Sequence, residues 1–205
     1  MKKKSKILML VASLMLLLLF AMPIWRITLE APQYPDGITM YIWIDKITGD
    51  TEHTLQNINI LNHYVGMQYI EPDAIPELTY FPYIVVGMVV LGIIFAFIGN
   101  RKLVLSWVAI MLLLGILGIY DFYLWEYDYG HNLDPKAPIK VPGMAYQPPL
   151  FGSKMLLNFN AISYPHWGSL FLGLSMILAT ISFFIASKNK KNEKSQSRTK
   201  LAMQS

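Results

Sequence analysis

Four stretches of this chain are apolar and uncharged throughout: residues 7–25, 83–99, 103–120 and 167–186. Each approaches the ~17–25 residues that an α-helix needs to cross a bilayer. A lipid-exposed backbone must satisfy its own hydrogen bonds, so all four are predicted to be helices. The first follows Lys2, Lys3, Lys4 and Lys6, which resemble the basic start of a secretory signal. Its apolar run is too long for a signal peptide and no small-x-small cleavage site precedes Arg26, so it reads as an uncleaved signal anchor.

Two polar regions lie between these runs. Residues 26–82 contain APQYPDG, whose prolines and Asp-Gly predict a turn. Residues 38–44 (ITMYIWI) alternate imperfectly and are rich in β-branched and aromatic side chains, which predicts a strand. Residues 47–50 read as a hairpin turn closing it. In residues 56–70 (QNINILNHYVGMQYI), Ile58, Leu61 and Val65 fit helical spacing. A short helix ending near Gly66 is the preferred reading there, against a strand. Residues 121–166 begin with DFYLWEYDYGHNLDP, an aromatic and acidic loop, and continue through the proline-rich KAPIKVPGMAYQPPLFGSK to LLNFNAISYP. The expected fold is a mainly α membrane protein with four transmembrane helices. A small extracytoplasmic domain of mixed strand and loop is built from the two outer loops, with DFYLWEYDYG against the strand at 38–44.

Charge orients this arrangement. Twelve of the seventeen basic residues fall in residues 1–6, in the turn at 100–102 and in the tail at 187–205. Twelve of the thirteen acidic residues fall in residues 26–82 and 121–166. The positive-inside rule therefore places both termini in the cytoplasm and both long loops outside. Trp25, Tyr80, Tyr83, Tyr120, Tyr123, Trp125 and Trp167 are read as an outer aromatic belt. The tail is expected to be a solvated, unstructured basic segment drawn to anionic lipid. With only 15% charged residues, a net charge of +4 reflects topology and not a nucleic-acid footprint.

There is no cysteine, which excludes disulfides, thiol nucleophiles and iron–sulfur ligation. The histidines His53, His63, His131 and His166 and the methionines Met40, Met67, Met144 and Met155 all lie outside the four apolar interiors. His63-x-x-x-Met67 sets an imidazole and a thioether one turn apart if a helix continues through Gly66. His131, with Asp134 in GHNLDP, and Met144 in a proline-rich loop supply a second such pair. Thioether with imidazole suits Cu(I), and imidazole with carboxylate suits Cu(II). The candidate metal set is therefore His63, Met67, His131 and Met144, with Asp134 orienting an imidazole. Against this stands ordinary packing, which is what most methionines among apolar neighbours do. Met40, Met155 and His53 are read that way, and His166 as an interfacial anchor.

Catalysis finds no motif: G-x-S-x-G, H-E-x-x-H, P-loop and dinucleotide-binding glycines are all missing. Asp121, Glu126, Asp128 and Asp134 have no spacing that suits paired-carboxylate chemistry. The spans hold no ionisable residue for a proton or ion path, and no histidine for haem. The expectation is a protein that is not an enzyme.

The strings APQYPDGITMYIW, NILNHYVGM, DFYLWEYDYGHNLDP, IKVPGMAYQPPLFGSK and LLNFNAISYP resemble a family of small four-span membrane proteins. That family is encoded in nitrous-oxide-reductase gene clusters of the clade II type, beside a copper-lipoprotein accessory factor and an ABC transporter. The resemblance spans nearly the whole chain except the basic tail. It implies an accessory role in maturing or supporting a periplasmic copper enzyme, with copper as a transient ligand and the enzyme, the lipoprotein or the transporter as partners. It carries no agreed ligand set. The other reading is a structural subunit that docks partners through its aromatic outer loops.

Overall fold

Arg26, Thr28 and Glu30 alternate with Ile27, Leu29 and Ala31, and in the computed structural model this alternation is a strand, β1 (Trp25–Ala31). The structure describes the backbone of residues 1 and 3–202 and the side chains of residues 1 and 3–187. Strands β2 (Tyr34–Ile42) and β3 (Ile47–Gly49) follow, then helix α2 (Thr54–Val65). Two long helices come next, α3 (Glu77–Ile98) and α4 (Arg101–His131). Strands β4 (Gly152–Leu156) and β5 (Phe159–Pro165) lead to the last helix, α5 (Trp167–Ala202). The chain starts with α1 (Lys3–Met15), continued as a 3-10 turn over Leu16–Phe20.

The strands form one antiparallel sheet in the order β3-β2-β1-β5-β4. In its centre, Ile27 faces Met40 on one side and Ser163 on the other, and Leu29 faces Ile38 and Ala161. One side of the sheet is thus apolar: Ile27, Leu29, Ile38, Met40, Ile47, Leu156 and Ala161 form a core with Ile58 and Ile70. Phe122, Trp125 and Tyr129 of α4 pack against it. They recur at i, i+3 and i+7, so one stripe of the helix supplies all three. The two expected outer loops therefore do share one domain, joined by the β1–β5 pairing.

Three helices are long and apolar enough to cross a membrane: Glu77–Ile98, Arg101–His131 and Trp167–Ser187. The described residues form two units, a helical one (within 1–18, 83–114 and 171–202) and the sheet-bearing one (19–82 and 115–170). Inside the helical unit, small polar residues mediate contact. Ser5 and Ser182 each donate from Oγ to the other's carbonyl at 2.7 Å, and Ser175 donates to the Ala12 carbonyl at 2.7 Å. Trp107 is fully buried and donates from Nε1 to the Met88 carbonyl at 2.9 Å.

Several local expectations are corrected. The helix expected over residues 7–25 stops at Phe20, because Pro23 lacks an N–H and Ile24 already donates to the Ile42 carbonyl at 2.8 Å. Trp25 is part of β1 and hydrogen-bonds Ser163 through Nε1 at 2.7 Å, and Trp125 lies 4.3 Å from Tyr129, so both serve the sheet core. The turn assigned to APQYPDG is confined to Pro32–Gln33, and residues 34–37 open β2. Residues 47–49 are a strand; the reversal is at 43–46, where the Trp43 N–H donates to the Lys46 carbonyl at 2.9 Å. Residues 121–131, expected as loop, continue α4 because their apolar residues keep helical spacing. LLNFNAISYP holds the hairpin turn and β5, and β4 lies in the GSKML that runs into it. The tail, expected to lack structure, is helical to Ala202, with no Gly or Pro after Gly173 to stop it. Lys2 and residues 203–205 lie outside the described residues.

Candidate functional site

The end of α2 decides where the first candidate ligands point. Gly66 adopts φ +83°, which costs glycine no Cβ clash. Its N–H donates to the His63 carbonyl and the Met67 N–H donates to the Asn62 carbonyl at 2.9 Å, a Schellman closure. The helix does not continue through Gly66, so His63 and Met67 are not stacked one turn apart as expected. The reversal instead docks the segment after α4: the Asp134 N–H donates to the Gly66 carbonyl at 2.8 Å and the Ile139 N–H to the Tyr64 carbonyl at 2.9 Å.

These contacts leave a groove of about 410 Å³ lined by His63, Met67, Gln68, Tyr69, Asn132 and Asp134, among others. Three of the five expected site residues therefore share one depression. His63 is exposed, with the Tyr69 ring 6.2 Å away. The Asp134 carboxylate accepts from the Lys136 N–H at 2.7 Å, and among the described residues no imidazole donates to it. His131 and Met144 are not among the groove's lining residues. His131 stacks on Tyr127 at 3.9 Å with Nδ1 2.9 Å from the Tyr127 carbonyl, and Met144 closes a turn through its N–H to Val141 at 3.1 Å. His53 precedes α2 and is exposed, and Met40 belongs to the core. His166 meets the edge of Tyr41 at 5.4 Å, and burial with the Arg26 charge holds its imidazole below the usual value. Among the described residues no three His, Asp or Glu side chains gather as a metal site.

A second feature lies under the sheet's apolar face. A partly open cavity of about 40 Å³ is lined by Met40, Asn62, Met67, Trp125, Glu126 and Tyr146, with aliphatic neighbours from β1 and α2. Glu126 is 0% exposed, and neither carboxylate oxygen has a hydrogen-bond partner in the protein. The Tyr146 hydroxyl, on a side chain 1% exposed, is likewise without one. Glu126 stands on α4 past Tyr120, where the uncharged run ends, in the sheet-bearing unit. Burial pushes its carboxyl up from the ordinary 4.5 to about 8. Tyr146 is brought there by a close approach of backbones: its N–H donates to the Gly130 carbonyl at 2.9 Å, and a Cβ on Gly130 would sit 2.3 Å from Gln147 backbone atoms.

Sequence reasoning counted Glu126 among four loosely spaced acids and passed over Asn62 and Tyr146. The signal was present in α4, where Glu126 falls within the stripe Phe122, Trp125, Tyr129 at helical spacing. A charge on that stripe is a charge facing the core. No known protein family, curated protein or solved structure matches this chain.

Proposed function

We propose that this is an integral membrane accessory protein, not an enzyme, that handles copper in support of a periplasmic copper enzyme of the nitrous-oxide-reductase kind. The sheet domain faces the periplasm of a bacterial inner membrane, and both termini are cytoplasmic, as the basic residues direct. α1 and its 3-10 continuation supply a fourth crossing: at about 1.5 Å and 2.0 Å per residue, their thirteen and five residues reach about 30 Å. The observation that carries the copper reading is the grouping of His63, Met67 and Asp134 on one open groove. An imidazole beside a thioether is a donor pair for Cu(I), and an open groove lets an accessory protein release its cargo. His131 and Met144 have no part in this reading.

The test is titration of the full-length protein in nanodiscs with Cu(I) against a chromophoric competitor. One retained equivalent that is lost in His63→Ala/Met67→Leu supports the reading. A wild type that retains no copper removes it.

A second reading has its own support. Tyr64, Tyr69, Tyr123 and Tyr127 are all exposed on the sheet-bearing unit. Exposed tyrosines are the residues interface cores favour. On that reading the protein is a docking subunit for the enzyme, its copper lipoprotein or the ABC transporter. Copper-independent co-purification that fails in Tyr64→Ser/Tyr69→Ser would mark it.

A further inference from the structure

The cavity under the sheet holds a donor set that the outer groove does not use. Glu126 presents two carboxylate oxygens and Tyr146 a hydroxyl, none with a partner in the protein. Buried polar groups in native proteins are nearly always satisfied, so two such groups lining one cavity point to something that satisfies them. At about 40 Å³ the space suits one or two particles the size of water. An organic ligand needs several times more, on the order of 300 Å³ or above.

The chemistry of the walls narrows the occupant. Met40 and Met67, whose thioethers are polarisable, line the same cavity as the single carboxylate residue Glu126. Calcium and magnesium demand mostly oxygen donors, roughly six or more. Zinc selects imidazole and thiolate, and the lining includes neither. One carboxylate balances one positive charge, so a monovalent ion would leave no net charge in the apolar interior. Thioethers select the soft ions among the monovalent ones. Access is marked by Met67, which lines both the outer groove and the inner cavity. Its unbranched side chain turns about three bonds, so it can separate the two spaces or let them join.

We propose that this cavity is a site for one soft monovalent cation of the Cu(I) class, bound by the Glu126 carboxylate and the Met40 and Met67 thioethers and entered from the outer groove past Met67. The proposal rests on the copper-handling reading and moves the resting place of the ion from the surface to the interior. The ion takes the place of the carboxyl proton, which leaves to solvent. His63 and Asp134 then serve capture at the groove, and the cavity serves retention.

The experiment uses full-length protein in nanodiscs, loaded with Ag(I) in air and with Cu(I) anaerobically under a reductant. Bound metal is measured per chain in wild type, Glu126→Gln, Met40→Leu and His63→Ala. Glutamine matches the neutral acid in shape, and leucine matches methionine closely in volume, so both variants should fold. Near-UV circular dichroism checks that they do. The expected result is one ion per wild-type chain, at least tenfold weaker affinity in Glu126→Gln and Met40→Leu, and slower loading with a smaller loss of affinity in His63→Ala. X-ray absorption of the copper form should show sulfur and oxygen neighbours. Binding unchanged in Glu126→Gln and Met40→Leu but abolished in His63→Ala would overturn the cavity site and leave the surface reading standing. Absence of any binding to wild type would overturn both.

Discussion

The helical unit and the sheet-bearing unit follow opposite rules of burial. In the helices the outward side chains are large and apolar, such as Phe97, Leu113, Ile177 and Phe184. The residues that face inward include Ser5, Ser13, Ser175 and Ser182, with Ala12, Ala96 and Ala179. In the sheet-bearing unit Ile27, Leu29, Met40 and Leu156 are inside, and Arg26, Glu30, Lys46 and Lys140 are outside. On the membrane reading proposed above, the difference records two solvents. Lipid offers no hydrophobic reward for hiding a leucine, so helices associate through small residues and hydroxyl hydrogen bonds. Water does offer that reward, and the sheet takes it. Thr54, Asn62, Ser163 and Glu126 are buried in the sheet-bearing unit as well, and among the described residues Glu126 is the one buried acid there.

The strongest way to break the comparison is a charge in the sheet core. Ile27→Asp should destabilise the sheet-bearing unit by more than about 4 kcal/mol, through a buried unpaired charge and a lost packing residue. Limited proteolysis should then cut within residues 26–82 while the helices still enter the membrane. Resistance equal to wild type would mean that this face is not the core.

Glu126 gives the next largest effect, and its sign is set by its raised pKa. Between pH 4.5 and about 8 the folded protein holds a proton that the unfolded chain has released. This contribution to stability is fully present below pH 4.5, falls as pH rises through that window, and is gone above about 8. The shift corresponds to about 3–5 kcal/mol across the window. Metal-free wild type should lose thermal stability from pH 5 to 8.5 faster than Glu126→Gln. Parallel curves would show that the carboxyl is not where this account puts it.

One substitution made in both units sharpens the contrast. Leu113 is 56% exposed and Met155 is 66% exposed, and an accessibility argument alone would treat them alike. In lipid, Leu113→Asp should cost about 2.5–3.5 kcal/mol and lower the inserted fraction in a glycosylation-mapping assay. Met155→Asp, on a strand in water, should change stability by no more than about 0.5 kcal/mol. The smallest effect belongs to the reciprocal serines. Ser182→Ala removes the hydroxyl that donates to Ser5, and should cost about 0.6 kcal/mol in a detergent or steric-trap unfolding measurement. A value above about 2 kcal/mol would make that pair more than ordinary helix packing.

The parts of this fold that were readable from sequence were those with local causes. α2 could be placed from Ile58, Leu61 and Val65, and its end from Gly66, because both signals lie within the element. The three long helices follow from apolar length alone. β1 was missed although its alternation is regular, because Trp25 was taken as the end of the preceding apolar run. The second half of α4 was missed because dense aromatics and acids, followed by Gly130, suggest a loop unless their helical spacing is counted. The groove was partly legible, since His63 and Met67 stand four residues apart. The cavity was not: Met40, Met67, Glu126 and Tyr146 come from a strand, a reversal, a helix and an irregular segment, and only the tertiary fold brings them together.

The β1–β5 pairing also sets a schedule for synthesis. Glu30 and Asn160, neighbours across that ladder, stand 130 residues apart in the chain. At ~5–20 residues per second a ribosome needs about 6–26 s to make what lies between them. Through that interval β1 can pair with β2 alone, and its other edge presents unpaired N–H and C=O groups. Every nascent copy thus passes seconds as an open-edged half-sheet, able to pair with a neighbour emerging from the same polysome. The yield of this protein in a cell should therefore depend on translation speed and on chaperones that occupy strand edges, as well as on the stability of the finished fold.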